Sequence, residues 1–290
     1  MIKLIRAIIK ATGIISPKLS AAIAIELLFR PGTNKIKNKY QNFWDTGEKL
    51  SMPSGCEARI FGSGDKIFWV THGWQSHSSR FEKIIKVANQ HGYKVIAWNG
   101  PAHGNSPGHR TNLASFTRCL VKDVDSINQK VDIMLGHSFG AAASAYACNL
   151  GAKIEGLILL ASPANAKEVF ERFWDFIWLG ARARKIFVKK TQEEMVAMLS
   201  DMSLDEFVND LNQHICMVHD TKDKIIPYGD ALRIKSLRPG VELHKTIGLG
   251  HYKIASAVET LDIIDGYLGK LSAEQATETI NMGSQNVVAT

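Results

Sequence analysis

The sequence predicts an α/β fold with a mainly parallel central sheet, flanked by helices on both sides and interrupted by a helical insertion. Short apolar runs alternate with longer helical patterns from residue 66 to residue 161. The run 157–160, Leu-Ile-Leu-Leu, shows no polar alternation, as expected for a strand that is buried on both faces. The alternation stops between residues 162 and 214 and then resumes. These three observations together favour one sheet interrupted by a helical segment.

The alternating elements are, in chain order, strand 66–71, helix 80–89, strand 94–98, helix 115–129, strand 131–135, helix 139–150 and strand 154–161. Strand-like runs at 215–218 and 241–244 follow the insertion. With 290 residues, 45% of them hydrophobic, the chain can enclose a sizeable core in one large domain. Inside the insertion, the patterns T-x-x-E from Thr191 and S-x-x-E from Ser203 predict capping boxes at two helix starts.

The most informative motif is the G-x-S-x-G of residues 136–140, with Ser138 at its centre, directly after an apolar run. Between a strand and a helix this motif predicts a nucleophile elbow, a sharp turn that exposes the serine hydroxyl above the sheet. Glycine is expected at Gly136 and Gly140 because a side chain there would collide with the neighbouring strand or helix. Taken alone, the motif also fits a glycine-rich turn with a bystander serine. The flanking elements favour the elbow.

Two further elements follow in the order that an elbow of this kind requires. The strand-like run 215–218 leads into a loop with two candidate acids, Asp220 and Asp223. The candidate base, His251, follows the next strand-like run. The chain order Ser, Asp, His differs from the two well-known serine protease orders and is that of α/β-hydrolases. Upstream, strand 66–71 runs into His-Gly-Trp, where a loop that binds an oxyanion is expected.

With these motifs the chain resembles the α/β-hydrolase superfamily, in the serine esterase-like branch with an HG-x oxyanion loop and a helical cap. The resemblance covers roughly residues 55 to 270. It implies that Ser138 is the nucleophile, His251 the general base and Asp223 the acid. Asp223 is preferred to Asp220 because it holds the family's place four positions before the closing proline, Pro227.

The resemblance also implies an oxyanion hole formed by the backbone N–H groups of Trp74 and Phe139. One departure from the family pattern is visible. Members often carry D-x-x-G-x-G-x-S after the third strand, whereas here Asn99 and Ala102 replace an acid and a glycine. This departure predicts a different loop shape and pocket edge, and leaves the three catalytic positions unaffected.

These residues predict hydrolysis of a carboxylic ester of a small or medium apolar substrate through an acyl-serine. Haloalkane dehalogenases and epoxide hydrolases of the superfamily use an aspartate at the elbow, so Ser138 disfavours both. Thioesterase, lipase-like, C–C hydrolase, peptidase and perhydrolase activities remain open, as does a non-catalytic binding role. The ten histidines show no metal-binding motif, and we expect neither a metal nor another cofactor.

The predicted cap begins with a group of aromatic residues that could line an apolar pocket. The candidate pocket residues are His72, Phe170, Phe173, Trp174 and Trp178. For any single cap aromatic, simple packing between cap and body is the preferred interpretation. For His72, a structural role through hydrogen bonds is the preferred interpretation.

Charge is concentrated at the start of the chain. Residues 1–40 contain eight basic residues and one acid, which accounts for the whole formal net charge of +7. The rest of the chain is balanced and shows no nucleic-acid-binding module, so we expect no nucleic-acid partner. Lys3, Arg6 and Lys10 lie on one face of a short helix whose other side is apolar. Such a helix can lie in an anionic membrane surface or dock on the body with its lysines in water, and we favour docking.

The predicted organisation has four parts. Residues 1–50 form a basic amphipathic helical segment, 51–162 and 214–270 the hydrolase core, 163–213 the cap, and 271–290 a polar C-terminal tail. The N-terminal segment does not fit a signal peptide, because Lys10, Lys18 and Pro17 interrupt it. Four scattered cysteines indicate free thiols, so we expect a cytoplasmic protein. Peripheral membrane contact through the N-terminal helix is the alternative. The oligomeric state stays open.

Overall fold

The apolar segments at the centre of the sequence lie side by side in one sheet. The computed structural model describes residues 2–32, 36 and 38–287. Within that part of the chain, eight strands form a sheet of order β1-β2-β4-β3-β5-β6-β7-β8. The strands are β1 (Glu48–Leu50), β2 (Ala58–Phe61), β3 (Lys66–Thr71), β4 (Tyr93–Trp98), β5 (Val131–His137), β6 (Ile154–Leu160), β7 (His214–Asp220) and β8 (Glu242–Thr246).

Strands β3 to β8 run parallel, and β1 and β2 add an antiparallel edge. In β3, Trp69 lies in the hydrophobic cluster on one side of the sheet, and Phe68 and Val70 lie in the cluster on the other. A strand buried on both faces needs apolar residues at successive positions, which explains the continuous apolar runs. The mainly parallel sheet predicted from the sequence is confirmed, whereas the antiparallel edge was not predicted.

Helices cover both faces of this sheet. The helices are α1 (Ile2–Ile15), α2 (Pro17–Phe29), α3 (Asn38–Thr46), α4 (Glu82–Gln90), α5 (Leu113–Ser126), α6 (Phe139–Asn149), α7 (Ala166–Ile177), α8 (Ala181–Met195), α9 (Leu204–Phe207), α10 (Tyr228–Leu237), α11 (Gly250–Lys253) and α12 (Val258–Val287). Helices α5, α6 and α10 bury side chains on one face, and α3, α4 and α12 on the other. Both apolar surfaces of the sheet are thereby removed from water.

The insertion between β6 and β7 folds together with the N-terminal helices. It contains α7, α8, a 3₁₀ turn at Ser200–Met202 and α9. Helix α2 packs against α8, and α1 contacts both α2 and α7. The two segments therefore form one unit, which we call the cover layer (α1, α2 and α7 to α9).

Two predicted capping boxes do not form. Thr191 lies inside α8, where its hydroxyl donates to the carbonyl oxygen of Phe187 at 2.9 Å. Ser203 precedes α9, but its hydroxyl donates to the carbonyl oxygen of Leu199 at 2.7 Å instead of capping the helix. Serine and threonine hydroxyls often bond a carbonyl one turn earlier, and that alternative prevails at both positions.

The ends of the chain differ from their sequence-based description. β1 lies inside residues 1–50, which the sequence assigned to a helical segment. Helix α12 continues through the predicted polar tail as far as Val287, and residues 288–290 lie outside the described part. No helix among the described residues combines the length and apolar composition that a bilayer span needs.

Candidate active site

The serine of the G-x-S-x-G motif stands at a sharp turn between a strand and a helix. β5 ends at His137, α6 begins at Phe139, and Ser138 between them has φ 54° and ψ −117°. A positive φ is unfavourable for a residue with a Cβ, so this turn is strained. The Ser138 amide donates to the carbonyl oxygen of Leu160 at 2.8 Å, which fixes the turn to the neighbouring strand.

The two glycines of the motif permit close packing around this turn. A Cβ on Gly136 would lie 2.5 Å from the Cα of Ala141. A Cβ on Gly140 would lie 2.4 Å from the carbonyl oxygens of Thr71 and His72. A side-chain movement cannot relieve clashes with backbone atoms, so both positions require glycine, as the motif predicts.

The structure brings the serine, the histidine and one of the two candidate acids into a hydrogen-bonded chain. His251 Nε2 lies 2.8 Å from Ser138 Oγ, and His251 Nδ1 lies 2.7 Å from Asp223 Oδ2. An ionised carboxylate only accepts hydrogen bonds, so Nδ1 carries the proton and Nε2 is free to accept from the serine hydroxyl. The three residues follow β5, β7 and β8, whose carboxyl ends meet at one edge of the sheet.

The carboxyl group of Asp223 is buried and bound from two sides. Its Oδ1 accepts the N–H groups of Ile225 at 2.8 Å and Ile226 at 3.0 Å. Burial acts to raise the pKa of this carboxyl, but the hydrogen bonds from His251 and the two amides outweigh it, so the pKa lies below its ordinary value. Asp223 is therefore ionised at neutral pH.

The other candidate acid, Asp220, has a different set of partners. Its carboxylate accepts from the Lys222 amide, the Thr246 hydroxyl and the Leu249 amide, each at 2.9 Å. Burial again acts to raise the pKa, and the hydrogen bonds lower it below its ordinary value. Asp220 thus ties the loop after β7 to the loop after β8.

The segment after β3 passes directly beside the serine. A Cβ on Gly73 would lie 3.4 Å from Ser138 Cβ and 2.9 Å from His137 Nδ1. The next residue, Trp74, packs its ring edge-on against the Phe139 ring, with 5.0 Å between the centroids. Phe139 opens α6, where the first N–H groups of a helix have no acceptor within the helix. The two predicted oxyanion donors therefore belong to the segments that flank Ser138.

Three buried histidines support this arrangement. His72 Nε2 accepts the Gly100 N–H at 3.0 Å, and burial holds its pKa well below the usual range. Burial lowers the pKa of His103 to about 4 and that of His137 to about 3. His137 Nε2 donates to the carbonyl oxygen of His251 at 2.8 Å, so a residue of the serine turn holds the main chain of the histidine.

The serine faces an apolar cavity of about 230 Å³. Its lining residues are Leu28, Phe29, Trp74, Asn112, Leu113, Ser138, Phe139, Ala142, Pro163, Ala164, Ala166, Val169, Phe170, Met195, Leu199, Met202, Ile225 and Ile226. Among the described residues, no charged side chain lines it. A ligand in this cavity is therefore held mainly by apolar contact.

Of the five candidate pocket residues, Phe170 lines the cavity and the other four do not. His72 is fully buried beside the turn. Phe173 and Trp174 share the inward side of α7 and pack into the hydrophobic core. Trp178 follows the last turn of α7 in a left-handed conformation, with φ 61°, and its ring lies on the surface. These four candidates therefore lie outside the cavity lining, and the packing of Phe173 and Trp174 in the core agrees with the preferred interpretation of the cap aromatics. His72 is enclosed directly after β3, and Trp178 is turned to the surface past the end of α7.

Part of the cavity wall comes from residues that the sequence did not single out. Leu28 and Phe29, at the end of α2, line the cavity together with Met195, Leu199 and Met202 of the insertion. One available signal is the apolar character of α2 on almost all sides, which is typical of a helix buried on more than one face. Nothing in the local sequence indicates which cavity that helix reaches.

One arginine joins the body to both parts of the cover layer. Arg110 Nε donates to Glu26 of α2 at 3.0 Å, and its Nη2 donates to Glu194 of α8 at 2.8 Å. The adjacent Thr111 amide donates to the carbonyl oxygen of Phe29 at 2.9 Å. These contacts hold the end of α2 at the cavity wall.

In the loop after β4, which departs from the family pattern at Asn99 and Ala102, a carboxylate is supplied by Glu57. Asn99 Oδ1 accepts the Ser78 amide at 2.7 Å, and Asn99 Nδ2 donates to Glu57 at 2.8 Å. Ala102 has φ 62°, a conformation that favours glycine. The loop thus combines a carboxylate from Glu57 with a strained alanine.

The cysteines lie apart from the serine and its partners. Cys56, Cys148 and Cys216 are buried, Cys119 is partly buried, and all four are free thiols. Among the residues that the structure describes, no group of three or more His, Cys, Asp or Glu side chains is placed to hold a metal ion. The buried cysteines act as small apolar side chains in the core.

The parallel sheet and the serine turn define the protein as an α/β-hydrolase. A family model described as "Serine aminopeptidase, S33" matches residues 62–211, about half of the chain, and the chain belongs to this family. The matched range contains Ser138 and ends before Asp223 and His251. It also begins after α2, which supplies part of the cavity wall.

Curated relatives are similar over part of their length. The human serine hydrolase-like protein is 30% identical over 123 residues, which cover 40% of this chain and 60% of that protein. The human monoglyceride lipase is 29% identical over 118 residues, which cover 36% of this chain and 39% of that protein. The chain thus spans less than two thirds of the length of these relatives.

Solved structures share the fold over most of the chain. An esterase of Pyrococcus furiosus has a TM-score of 0.62 and 16% identity, with coverage of 83% of this chain and 97% of that chain. A meta-cleavage product hydrolase of Pseudomonas fluorescens has a TM-score of 0.59 and 14% identity, with coverage of 79% and 98%. At these identities the likeness concerns the fold alone.

Proposed function

We propose that the protein is a serine hydrolase that cleaves a carboxylic ester of a small or medium-sized apolar acid through an acyl-serine intermediate. The observation that carries the proposal is the hydrogen-bonded chain from Ser138 through His251 to Asp223 beside an apolar cavity. A serine hydroxyl is a weak nucleophile until a neighbouring base accepts its proton. His251 is placed to be that base.

In the proposed reaction, Ser138 Oγ attacks the ester carbonyl carbon while its proton passes to His251 Nε2. Asp223 accepts the hydrogen bond from Nδ1, keeps the ring in the required tautomer and stabilises the imidazolium. The imidazolium then protonates the leaving alcohol as the carbon–oxygen bond breaks, which gives the acyl-serine. A water molecule then gives a proton to His251 while its oxygen attacks the acyl carbon. The bond from this carbon to Ser138 Oγ breaks as His251 returns the proton to the serine, which releases the acid.

The tetrahedral intermediate carries a negative oxygen that needs donors fixed in advance. The amides of Trp74 and Phe139 are the proposed donors, because these residues belong to the two segments that flank Ser138. Removal of one such donor typically lowers the rate about a hundred- to a thousandfold. His137 contributes as a positioning residue through its bond to the His251 carbonyl oxygen.

The cavity favours an acyl group over a peptide N-terminus. The family description names aminopeptidases, whose substrates carry an α-ammonium group. A buried ammonium group requires a carboxylate partner, and the cavity lining offers none. The names of the monoglyceride lipase and the esterase among the similar proteins agree with an ester substrate that has an apolar acyl chain.

The test is hydrolysis of p-nitrophenyl esters from acetate to palmitate by wild type, by Ser138→Ala and by the control Ser126→Ala, which changes an exposed serine. We expect Ser138→Ala to lose at least about a thousandfold in kcat, with the control unchanged. Full turnover by Ser138→Ala would contradict the proposal. Absence of turnover by the wild type, with activity on an acyl thioester or an aminoacyl anilide instead, would replace ester hydrolysis by that reaction.

A further inference from the structure

Helix α1 has two apolar sides, and the rest of the protein covers only one of them. On the inner side Ile9 is 1% exposed and Ile5 packs against the core. On the outer side Leu4 is 65% exposed and Ile15 83% exposed, with Ile8 also exposed between them. Residues at positions i, i+4 and i+11 lie on one face of a helix, so these three form a continuous stripe.

A second apolar surface lies on another side of α1, where this helix meets the insertion. Ile14, 79% exposed, and Trp178, 55% exposed, line the same surface groove between α1 and the end of α7. Arg6 holds this junction, because its Nε donates to the Phe176 carbonyl oxygen at 2.7 Å and its guanidinium lies 4.8 Å from the centroid of the Trp178 ring. Trp178 is thereby kept on the surface in a left-handed conformation that a side chain of this size rarely adopts.

Positive charge borders this apolar surface. Lys3, Lys10 and Lys18 are exposed, and α1 contains no acidic residue. Within the described part of the chain, no acidic side chain lies within salt-bridge distance of these lysines. The nearest acid in sequence, Glu26, is already paired with Arg30 and Arg110.

We propose that the outer side of α1, which we call the α1 face (Leu4, Ile8, Ile14 and Ile15, with Lys3, Lys10 and Lys18 beside them), docks on an anionic lipid bilayer. Helix α1 would lie in the plane of the interface, with its apolar stripe at the level of the upper acyl chains. The lysines would contact the anionic headgroups. The inner side of α1 stays packed on α2 and α7, so docking requires no unfolding.

The charge on the α1 face argues against a second copy of this chain as its occupant. A two-fold contact through this face would bring the lysines of both copies into one interface, where α1 offers no acidic residue to pair with them. Like charges placed together in a desolvated contact are unfavourable. An anionic bilayer offers both an apolar layer and the opposite charge.

The α1 face is connected to the cavity by a single helix. Helix α2 begins at Pro17, beside the α1 face, and its last residue, Phe29, lines the cavity. Its 13 residues span about 20 Å. The inference goes beyond the proposed ester hydrolysis, since binding to a bilayer needs no catalysis.

The test measures co-sedimentation of the full chain with vesicles of phosphatidylcholine, with and without phosphatidylserine. Three variants are compared with wild type: Ile8→Glu/Ile15→Glu on the α1 face, the matched control Leu232→Glu/Val258→Glu on α10 and α12, and Ser138→Ala. We expect binding to the anionic vesicles that weakens with added salt. The α1-face variant should lose at least about tenfold in binding, and the other two should bind as wild type.

Several outcomes would overturn the proposal. They are absence of wild-type binding to the anionic vesicles, equal binding by the α1-face variant, or a wild-type dimer that this variant abolishes without any vesicle binding. A circular-dichroism melting curve that matches the wild type shows that the α1-face variant is folded. Because Ser138→Ala is scored only for vesicle binding, failure of bilayer docking and failure of the proposed hydrolysis are distinguished.

Discussion

The reacting groups and the cavity wall are built in different ways. Ser138, Asp223 and His251 each follow a strand of the sheet, and the parallel arrangement brings the carboxyl ends of those strands together. Leu28 and Phe29 reach the same cavity from a helix of the cover layer that belongs to no strand–helix unit of the sheet. Under the proposed function, bond cleavage depends on the body, whereas the shape of the acyl site also depends on the cover layer. The two should therefore respond separately to substitution.

The largest effect should come from the body, at the acid. Asp223→Asn replaces the acceptor for His251 Nδ1–H with a group that can donate, which favours the wrong tautomer. We expect kcat for p-nitrophenyl butyrate to fall about a thousand- to ten-thousandfold. Steady-state kinetics of the purified variant give the measurement.

Asp220→Asn is the matched variant, because Asp220 ends β7 three positions before Asp223. Its expected loss lies in the free energy of unfolding, because Asp220 accepts three hydrogen bonds that join the two loops. A severe loss of kcat in Asp220→Asn with a mild one in Asp223→Asn would show that the acid has been assigned to the wrong residue.

A second effect should appear in the stability of the body at mildly acidic pH. Burial lowers the pKa of His137 to about 3 and that of His103 to about 4, below the value of an unfolded chain. Between those values and about pH 6.5, the unfolded state binds protons that the folded state does not, so stability falls as pH falls. Each histidine should contribute about 1.4 kcal/mol per pH unit.

Urea unfolding at several pH values measures this slope. His103→Asn should reduce the dependence of the unfolding free energy on pH by about 1.4 kcal/mol per pH unit. His109→Asn, at an exposed position nearby, is the control for the substitution itself. An unchanged slope in His103→Asn would mean that His103 takes up its proton without unfolding.

The smallest effect should come from substitutions in the cavity wall. They should change the preferred acyl chain length more than the rate of ester cleavage. Phe29→Ala removes bulk from the cover-layer side, so the optimum in the ester series should move to longer chains. Ala142→Leu adds bulk from the body side and should move it to shorter chains. Each shift should be about tenfold in relative kcat/KM, with acetate turnover nearly unchanged.

Leu27→Ala is the control for Phe29→Ala, because Leu27 lies on α2 but is exposed and does not line the cavity. If Phe29→Ala lowered kcat for all esters alike, α2 would be needed for cleavage itself, and the separation between body and cover layer would not hold.

The sequence predicted those parts that depend on short-range patterns. The parallel strands follow from continuous apolar runs, and the meeting of Ser138, Asp223 and His251 follows from motifs placed at strand ends. Trp174 and Trp178 could be named only as pocket candidates, with packing preferred, because the sequence does not show which side of α7 faces the core. The contribution of Phe29 could not be predicted, because it depends on long-range packing of α2 against α8. The catalytic roles of Ser138, Asp223 and His251, and the role of Phe29 in substrate preference, are proposals that the kinetic experiments test.

The position of α2 has an evolutionary consequence. The family match begins at residue 62, so the helix that ends at Phe29 lies outside the part of the chain shared with the family model. Mutations in these thirteen residues can alter which molecules are accepted while the chemistry at the sheet edge stays constant. After a gene duplication, mutations in this one short helix would be enough to give the two copies different substrate preferences. Substrate names should therefore not be transferred between relatives that differ in this helix.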